Sequence, residues 1–220
     1  MSLTLYYHPL SSFCHKVLVA LYEHSVAFAP RLINLADAAD RAALQAHWPM
    51  LKFPVLHDAT RGRDVAESSV IIEYLDQYYS GAGLLVPQEF DVALDVRLWD
   101  RVFDNHVQVP MQQIVSDRIF GAGADMSRHR AALDMVYALI DERMAGRTWV
   151  AGAEFSMADC AAVPALFYAS TLQPFPAGSV HLAAYFERLM ARPSAQRVIN
   201  EAKPFFDMYP FAENIPARFR

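Results

Sequence analysis

The feature that most constrains the fold of this chain is a change of rhythm near residue 80. Strand and helix patterns alternate before that point, and only helical patterns follow it. The predicted strands are Leu3–His8, Phe28–Leu35, Phe53–His57 and Asp64–Glu67, and the predicted helices of the same region are Phe13–His24, Asp37–His47 and Ser69–Tyr79. Their order, βαβ followed by ββα, predicts a mixed four-stranded sheet that is parallel where a helix crosses over and antiparallel at the hairpin.

The strand signals stop at the segment SGAGLLVPQEF, which carries the glycine and proline of a linker. Helical periodicity then covers Asp91–Phe120, Met126–Ala145, Ser156–Thr171, Val180–Met190 and Ser194–Ala202, with Pro110 and Pro164 as expected kinks. The sequence therefore predicts an α/β domain at residues 1–80, a linker at 81–90 and an all-helical domain at 91–220. Within the helical part, FSMADC predicts a capping box in which Asp159 reaches back to Ser156.

Composition excludes several classes of function. The net charge is −5 and lysine and arginine are not clustered, which argues against nucleic acid as a partner. No apolar run reaches the roughly 18 residues of a membrane span, and no signal-peptide pattern opens the sequence, so we expect no membrane partner and a cytoplasmic location. Two cysteines rule out a disulfide framework, and the histidines show no ligand spacing, so no metal is expected.

The strand-to-helix turn LYYHPLSSFCHKVLVAL carries four candidate functional side chains, Tyr7, Ser11, Ser12 and Cys14. A helix N-terminus offers unpaired backbone N–H groups and the positive end of a dipole, which favour an anion. Cys14 repeats at helical spacing with the apolar residues of the helix, so we predict that it packs in the core. The polar candidates Tyr7, Ser11 and Ser12 lie before the helix or at its start. The alternative role of Ser12 is to cap the helix.

A second anion-binding signal lies where Glu67 and Ser68 open the helix ESSVIIEYLDQYY. Ser68 can add a hydroxyl to the helix N-terminus, and the Glu67 carboxylate can take an ammonium group. The alternative is that Ser68 or Ser69 only caps the helix and that Glu67 is a solvated charge. In KFPVL, Pro54 cannot donate to a strand ladder, so it favours an edge or a bulge.

Together these motifs resemble the cytosolic glutathione transferase superfamily over essentially the whole chain, in the serine-type, theta- or zeta-like form of bacterial members. The resemblance rests on SSFCHKV, KFPVL, the Glu67–Ser68 pair and FSMADC, in this order. It implies a thioredoxin-like first domain, glutathione as co-substrate without a metal, and a homodimer. It also implies that Glu67 and Ser68 hold the γ-glutamyl end of glutathione, as their counterparts do in the family.

The resemblance assigns the rest of the peptide to the KFPVL segment. A cis bond before Pro54 would turn the backbone of Phe53 outward to pair with the cysteinyl part of glutathione. Lys52 resembles the residue that meets the glycyl carboxylate, and its alternative is a plain surface lysine.

Thiol activation is the role for which Ser11, Tyr7 and Ser12 compete. Against the C-P-[FY]-C motif of glutaredoxins, SSFCHKV places Ser11 at the nucleophilic cysteine, so dithiol exchange is excluded. A hydroxyl can instead donate to the glutathione sulfur: about 1.5–3 kcal/mol would lower a thiol pKa of about 8.5 by about one to two units. Ser11 is the first choice, Tyr7 is the rival because tyrosine-type members place a phenol at the end of the first strand, and Ser12 can donate through its hydroxyl or N–H.

For the electrophilic second substrate, the resemblance points to the long helix after the linker and the C-terminal tail. The candidates are Leu10, His106 beside Asn105, and Tyr209 with Phe206 as one wall of the pocket. The expected activity is addition of the glutathione thiolate to a small electrophile. A glutathione-dependent disulfide or peroxide reductase and a non-catalytic transferase-like scaffold are the alternatives.

Overall fold

The structure, a computed structural model, describes residues 2–81 and 83–220 and divides into two compact units. The first extends to Leu85, and the second runs from Val86 to Arg220. The division falls inside the predicted linker 81–90, of which Ala82 lies outside the described residues. Across the described ranges, no helix has both the length and the apolar character needed to cross a membrane.

The first unit is built on a four-stranded mixed sheet, as the sequence predicts. The strands are β1 (Leu3–Tyr7), β2 (Ala29–Leu32), β3 (Val55–Asp58) and β4 (Arg63–Ala66), and the helices are α1 (Ser12–Glu23), α2 (Ala38–His47) and α3 (Ser68–Tyr79). The spatial order is β2-β1-β3-β4. β1 and β2 are parallel because α1 crosses between them, whereas β1/β3 and β3/β4 are antiparallel.

The two faces of this sheet carry different helices. On one face, Val55 joins Leu44 of α2 and Ile33 in a small buried cluster. Leu5 and Leu56 are cross-strand partners on the opposite face, and both are fully buried. Asp58, two residues after Leu56, therefore points to that opposite face, where it accepts a hydrogen bond from Tyr74 of α3.

Helices α1 and α3 pack together and run in the same direction. Near their starts, the Lys16 amine donates to the Ser69 hydroxyl over 2.8 Å. At their other ends, His24 and Asp76 form a buried pair, also at 2.8 Å. Because both helices run parallel, their N-termini lie at the same end of the sheet.

The second unit is entirely helical in its regular structure. It contains α4 (Phe90–Val102), a π-helical segment (Phe103–Gln108), α5 (Val109–Phe120), α6 (Ser127–Met144), α7 (Met157–Leu172), α8 (Val180–Ala191) and α9 (Pro193–Ala202), followed by 3₁₀ segments at Lys203–Met208, Ala212–Asn214 and Ala217–Phe219. The single helix predicted over Asp91–Phe120 is thus three consecutive helical segments. Pro110 does not interrupt α5, because it lies in the first turn, where the missing N–H is tolerated.

The core of the helical unit is α7, whose residues are almost all buried. The predicted capping box is confirmed: the Asp159 carboxylate accepts from the backbone N–H and the hydroxyl of Ser156, each over 2.9 Å. The C-terminal tail packs on α7, as expected from its aromatic content. Phe206 stacks on Phe167 with ring centroids 6.1 Å apart.

Candidate functional site

One end of the sheet brings together segments that are far apart in sequence. Tyr6 at the end of β1 pairs with Val55, the residue after Pro54, and Val55 pairs with Ala66, the residue before Glu67. The start of α1 follows β1 at this end, and the start of α3 follows β4. The candidate residues of all three motifs therefore come together at one end of the sheet.

Ser11 is the N-cap of α1, with extended backbone and a half-buried side chain. Its Oγ accepts from the Cys14 N–H over 3.4 Å. The alternative that Ser12 caps the helix is wrong, because Ser12 is the first helical residue and is nearly buried. Ser11 is thus the hydroxyl that flanks the helix N-terminus at the sheet edge.

Cys14 is a core residue, as predicted. Its side chain is fully buried, and this burial raises the pKa of the thiol to about 12, although hydrogen bonds from Ser11 and the His8 backbone act in the other direction. A thiol with this pKa stays protonated near neutrality, so it supplies no nucleophile.

Tyr7 is the last residue of β1 and is half-buried. Its carbonyl oxygen accepts from the N–H of Ile33 over 2.9 Å, which continues the pairing of β1 with the β2 side of the sheet. Strand alternation directs its side chain to the same face as Leu5, the face that carries α3. Its place at the strand end is the one the sequence predicts, and its part in thiol activation stays a prediction.

The Phe53–Pro54 peptide bond is cis, which confirms that prediction. Phe53 is half-buried and Pro54 is buried, whereas Lys52 beside them is exposed. Phe53 stacks on the ring of His8, with centroids 5.8 Å apart and planes 17° from parallel. This stacking holds the proline segment against the end of β1.

His8 was not among the residues that the sequence singled out. Its Nδ1 accepts from the N–H of Leu10 over 3.2 Å, and burial lowers the pKa of its imidazole, so the ring is neutral near pH 7. Leu10 is half-buried. The sequence feature that could have indicated a role for His8 is its position between the end of β1 and Pro9.

Glu67 has an unusual backbone conformation for a residue with a side chain. It is the N-cap of α3 with φ 68° and ψ 116°, its side chain makes no capping hydrogen bond, and it is exposed. Ser68 begins the helix and is 7% exposed. The alternative that Ser68 or Ser69 caps α3 is therefore wrong, since the N-cap is Glu67.

The candidates in the helical unit differ in their surroundings. His106 and Asn105 are exposed on the π-helical segment, and π turns are frequent at functional sites. Tyr209 is only 7% exposed and its hydroxyl is within 2.8 Å of the Thr171 hydroxyl. Burial raises the pKa of the Tyr209 phenol to about 12, so the group is neutral. The substrate roles of His106 and Tyr209 stay predictions.

Three potential metal ligands meet in the structure, although the sequence shows no metal-ligand spacing. His47, His57 and Asp64 meet on the sheet face that carries α2, with potential ligand atoms within 4.8 Å of one another. Their sequence separations of 10 and 7 residues match no metal motif, so only the sheet register could have revealed this cluster.

A mixed sheet with two helix N-termini and a cis-proline segment at one end defines a thioredoxin-like fold, here followed by a helical unit. Sequence profiles of known families match both parts. The profile described as "Glutathione S-transferase, N-terminal domain" matches residues 5–83, and "Glutathione S-transferase, C-terminal domain" matches residues 104–193. The chain belongs to the cytosolic glutathione transferase superfamily.

Individual relatives agree with this assignment. "Glutathione S-transferase 3" of Zea mays is 28% identical over 209 residues, which cover 90% of this chain and 93% of the relative. A "Probable glutathione S-transferase" of Nicotiana tabacum is 27% identical over 152 residues, or 69% of this chain; the match spans 64% of that relative, less than two thirds of its length.

Solved structures show the same fold. A delta-class glutathione transferase of Nilaparvata lugens aligns with a TM-score of 0.85 at 20% identity, covering 96% of this chain and 99% of the other. A glutathione S-transferase of Methylobacterium radiotolerans, solved in complex with glutathione sulfonate, aligns with a TM-score of 0.77 at 27% identity over 89% of this chain and 93% of the other.

Proposed function

We propose that the chain is a glutathione S-transferase that binds glutathione at this end of the sheet and activates its thiol. The observation that carries the proposal is the convergence of the N-termini of α1 and α3 with the cis-Pro54 segment. This end of the sheet combines two serine hydroxyls, Ser11 and Ser68, with the exposed charges of Glu67 and Lys52. Such a combination fits a small peptide that carries a thiol, two carboxylates and one ammonium.

The thiolate would lie at the start of α1. A helix N-terminus contributes about half a positive charge, and the unpaired N–H groups of the first turn stabilise an anion. Ser11 adds a hydroxyl donor at the N-cap position, and the buried Cys14 cannot compete as a nucleophile. In this proposal the reactive sulfur comes with the substrate, and Ser11 lowers its pKa.

The remaining parts of glutathione would lie at the same end of the sheet. The Phe53 backbone pairs with the cysteinyl residue, and the exposed Lys52 meets the glycyl carboxylate. The α-carboxylate of the γ-glutamyl end lies at the N-terminus of α3, where Ser68 is the first helical residue, and its ammonium pairs with the exposed Glu67.

The reaction would be attack of the thiolate on a small electrophile. A cytoplasmic location and a homodimer belong to the same proposal, on the family's general pattern. A reductase that uses two glutathione molecules, and a scaffold that binds none, are distinguished by the experiment below.

The test is the ultraviolet thiolate absorbance of bound glutathione across pH, in the wild type and in Ser11→Ala, Tyr7→Phe and Ser12→Ala. One charged hydrogen bond of about 1.5–3 kcal/mol corresponds to one to two pKa units, so the wild type should hold the thiol at a pKa of about 6.5–7.5. Ser11→Ala should raise this pKa by about one to two units, and Ser12→Ala should leave it unchanged.

Each other outcome has a defined meaning. Absence of glutathione binding would favour the scaffold, and a bound pKa equal to that of free glutathione would end the proposal. If Tyr7→Phe removes the shift and Ser11→Ala does not, Tyr7 is the activating residue. Turnover with a mixed disulfide but with no electrophile would identify the reductase.

A further inference from the structure

A histidine and aspartate cluster lies on the sheet face that carries α2, outside the proposed glutathione site. The Asp64 Oδ1 atom is 2.8 Å from Nδ1 of His47 and 2.7 Å from Nδ1 of His57. The two imidazole centroids are 4.9 Å apart. One carboxylate oxygen is thus shared by two rings that approach it from different elements.

The fold positions each member of the cluster. His57 and Asp64 are direct cross-strand partners in the β3/β4 hairpin, so their side chains leave the same face of the sheet next to each other. His47 is the last residue of α2, which packs over that face. The arrangement therefore depends on regular backbone at all three positions.

The hydroxyl of Tyr6 supports the cluster from behind. It lies 2.8 Å from Nε2 of His47, the ring nitrogen that does not face Asp64. Metal-binding histidines almost always use their second ring nitrogen for such a hydrogen bond, which fixes the ring orientation.

We propose that His47, His57 and Asp64 form a binding site for one divalent transition-metal ion. Zn²⁺ represents the ions for which imidazole is a suitable ligand. Two imidazoles and one carboxylate are a usual donor set for Zn²⁺, and water takes the remaining position. Their side chains are 21%, 29% and 34% exposed, so an ion can reach them from solvent.

Binding requires a small change in the cluster. Tetrahedral Zn²⁺ ligands at about 2.0–2.2 Å from the ion lie about 3.3 Å apart, so the present nitrogen-to-oxygen distances must open by about half an ångström. A ring that coordinates the ion through Nδ1 carries its proton on Nε2. Nε2–H of His47 then donates to the Tyr6 oxygen.

The experiment uses the full chain, free of any histidine tag and treated with a chelator. Zn²⁺ is titrated calorimetrically, and Co²⁺ is added separately to record its visible absorption. We expect about one Zn²⁺ per chain and a Co²⁺ spectrum that reports nitrogen and oxygen ligands. Both cysteines are fully buried, so thiolate binding does not contribute.

The variants separate this site from incidental histidine binding. His57→Ala and Asp64→Asn should each abolish the Co²⁺ spectrum and weaken Zn²⁺ binding by more than Tyr6→Phe does. Tyr6→Phe removes only the supporting hydrogen bond and should cost about 10- to 100-fold in affinity. The exposed His181 is the matched control, and His181→Ala should bind Zn²⁺ like the wild type.

The proposal is overturned if the wild type binds no Zn²⁺, or if Asp64→Asn and His57→Ala bind it as tightly as the wild type. Loss of binding in His181→Ala would overturn it as well. Far-ultraviolet circular dichroism of each variant accompanies the titrations, and Asp64→Asn, which keeps the shape of an exposed side chain, decides the outcome if His57→Ala does not fold.

Discussion

Replacing Glu67 by glycine should stabilise the protein while weakening its binding of glutathione. The backbone of Glu67 has φ 68° and ψ 116°, a region that side chains with a Cβ rarely occupy. A residue held in such a region costs about 1–3 kcal/mol, and residues of this kind concentrate at functional sites. The exposed Glu67 side chain provides no capping hydrogen bond to offset this cost.

The size of the stability change follows from two opposing contributions. Glycine removes the Cβ and therefore most of the strain of about 1–3 kcal/mol. The greater freedom of glycine in the unfolded chain costs about 0.5–1 kcal/mol in return. The free energy of unfolding of Glu67→Gly should therefore rise by about 1 kcal/mol and by no more than about 2.5 kcal/mol.

The same substitution removes the carboxylate proposed to pair with the glutathione ammonium. A hydrogen bond to a charged group contributes about 1.5–3 kcal/mol, and exposure of Glu67 favours the lower end. The affinity for glutathione should then fall about tenfold. Stability and affinity should thus move in opposite directions.

Urea denaturation followed by circular dichroism measures the first quantity, and titration calorimetry with glutathione measures the second. Glu67→Ala is the matched control, because alanine keeps the strained backbone and loses the carboxylate. It should lose the same affinity with little change in stability. If Glu67→Gly is no more stable than Glu67→Ala, the backbone stores no strain; if both bind glutathione like the wild type, Glu67 does not contact the ammonium.

Three further predictions concern positions away from the proposed glutathione site. Asp159→Ala removes a buried carboxylate that accepts four hydrogen bonds. Because each unsatisfied buried donor costs about 1–3 kcal/mol, the free energy of unfolding should fall by about 4 kcal/mol or more in urea denaturation. Asp125→Ala, which loses an exposed carboxylate that accepts two hydrogen bonds from Ser127, should cost about 1 kcal/mol or less, and equal losses in the two variants would refute the argument. At Asp58, burial raises the pKa of the carboxyl, but hydrogen bonds from two tyrosine hydroxyls and two backbone N–H groups outweigh it and hold the pKa at about 2. Because this pKa is lower when the chain is folded, the stabilisation by Asp58 is present above about pH 4 and is lost as the pH falls toward 2. The acid-induced loss of stability should therefore be smaller in Asp58→Asn than in the wild type. An unchanged dependence of stability on pH would contradict this. A Cβ on Gly81 would lie 2.5 Å from the backbone oxygen at the C-cap of α1, so Gly81→Ala should lower the free energy of unfolding by about 1–3 kcal/mol. Gly83→Ala, with open space at its Cβ, should change it little in the same urea denaturation.

The proposed glutathione site shows which features could be predicted from local sequence. The start of α1 at Ser11 follows from the change between a strand pattern and a helical pattern, and the burial of Cys14 follows from the spacing of the apolar residues. The cis bond before Pro54 came from the family resemblance, because most bonds before proline are trans. The conformation of Glu67 could not be predicted, since a glutamate carries no signal for positive φ.

The sequence by itself determined the order of strands and helices, the parallel and antiparallel pairing, the capping box at Ser156 and Asp159, and the family. These properties depend on residues a few positions apart, where periodicity, caps and turns act. Only the tertiary structure decided which distant side chains meet. Tyr6, His47, His57 and Asp64 come together because strand register and helix packing join positions 7 to 58 residues apart, and no local pattern in the chain encodes that distance.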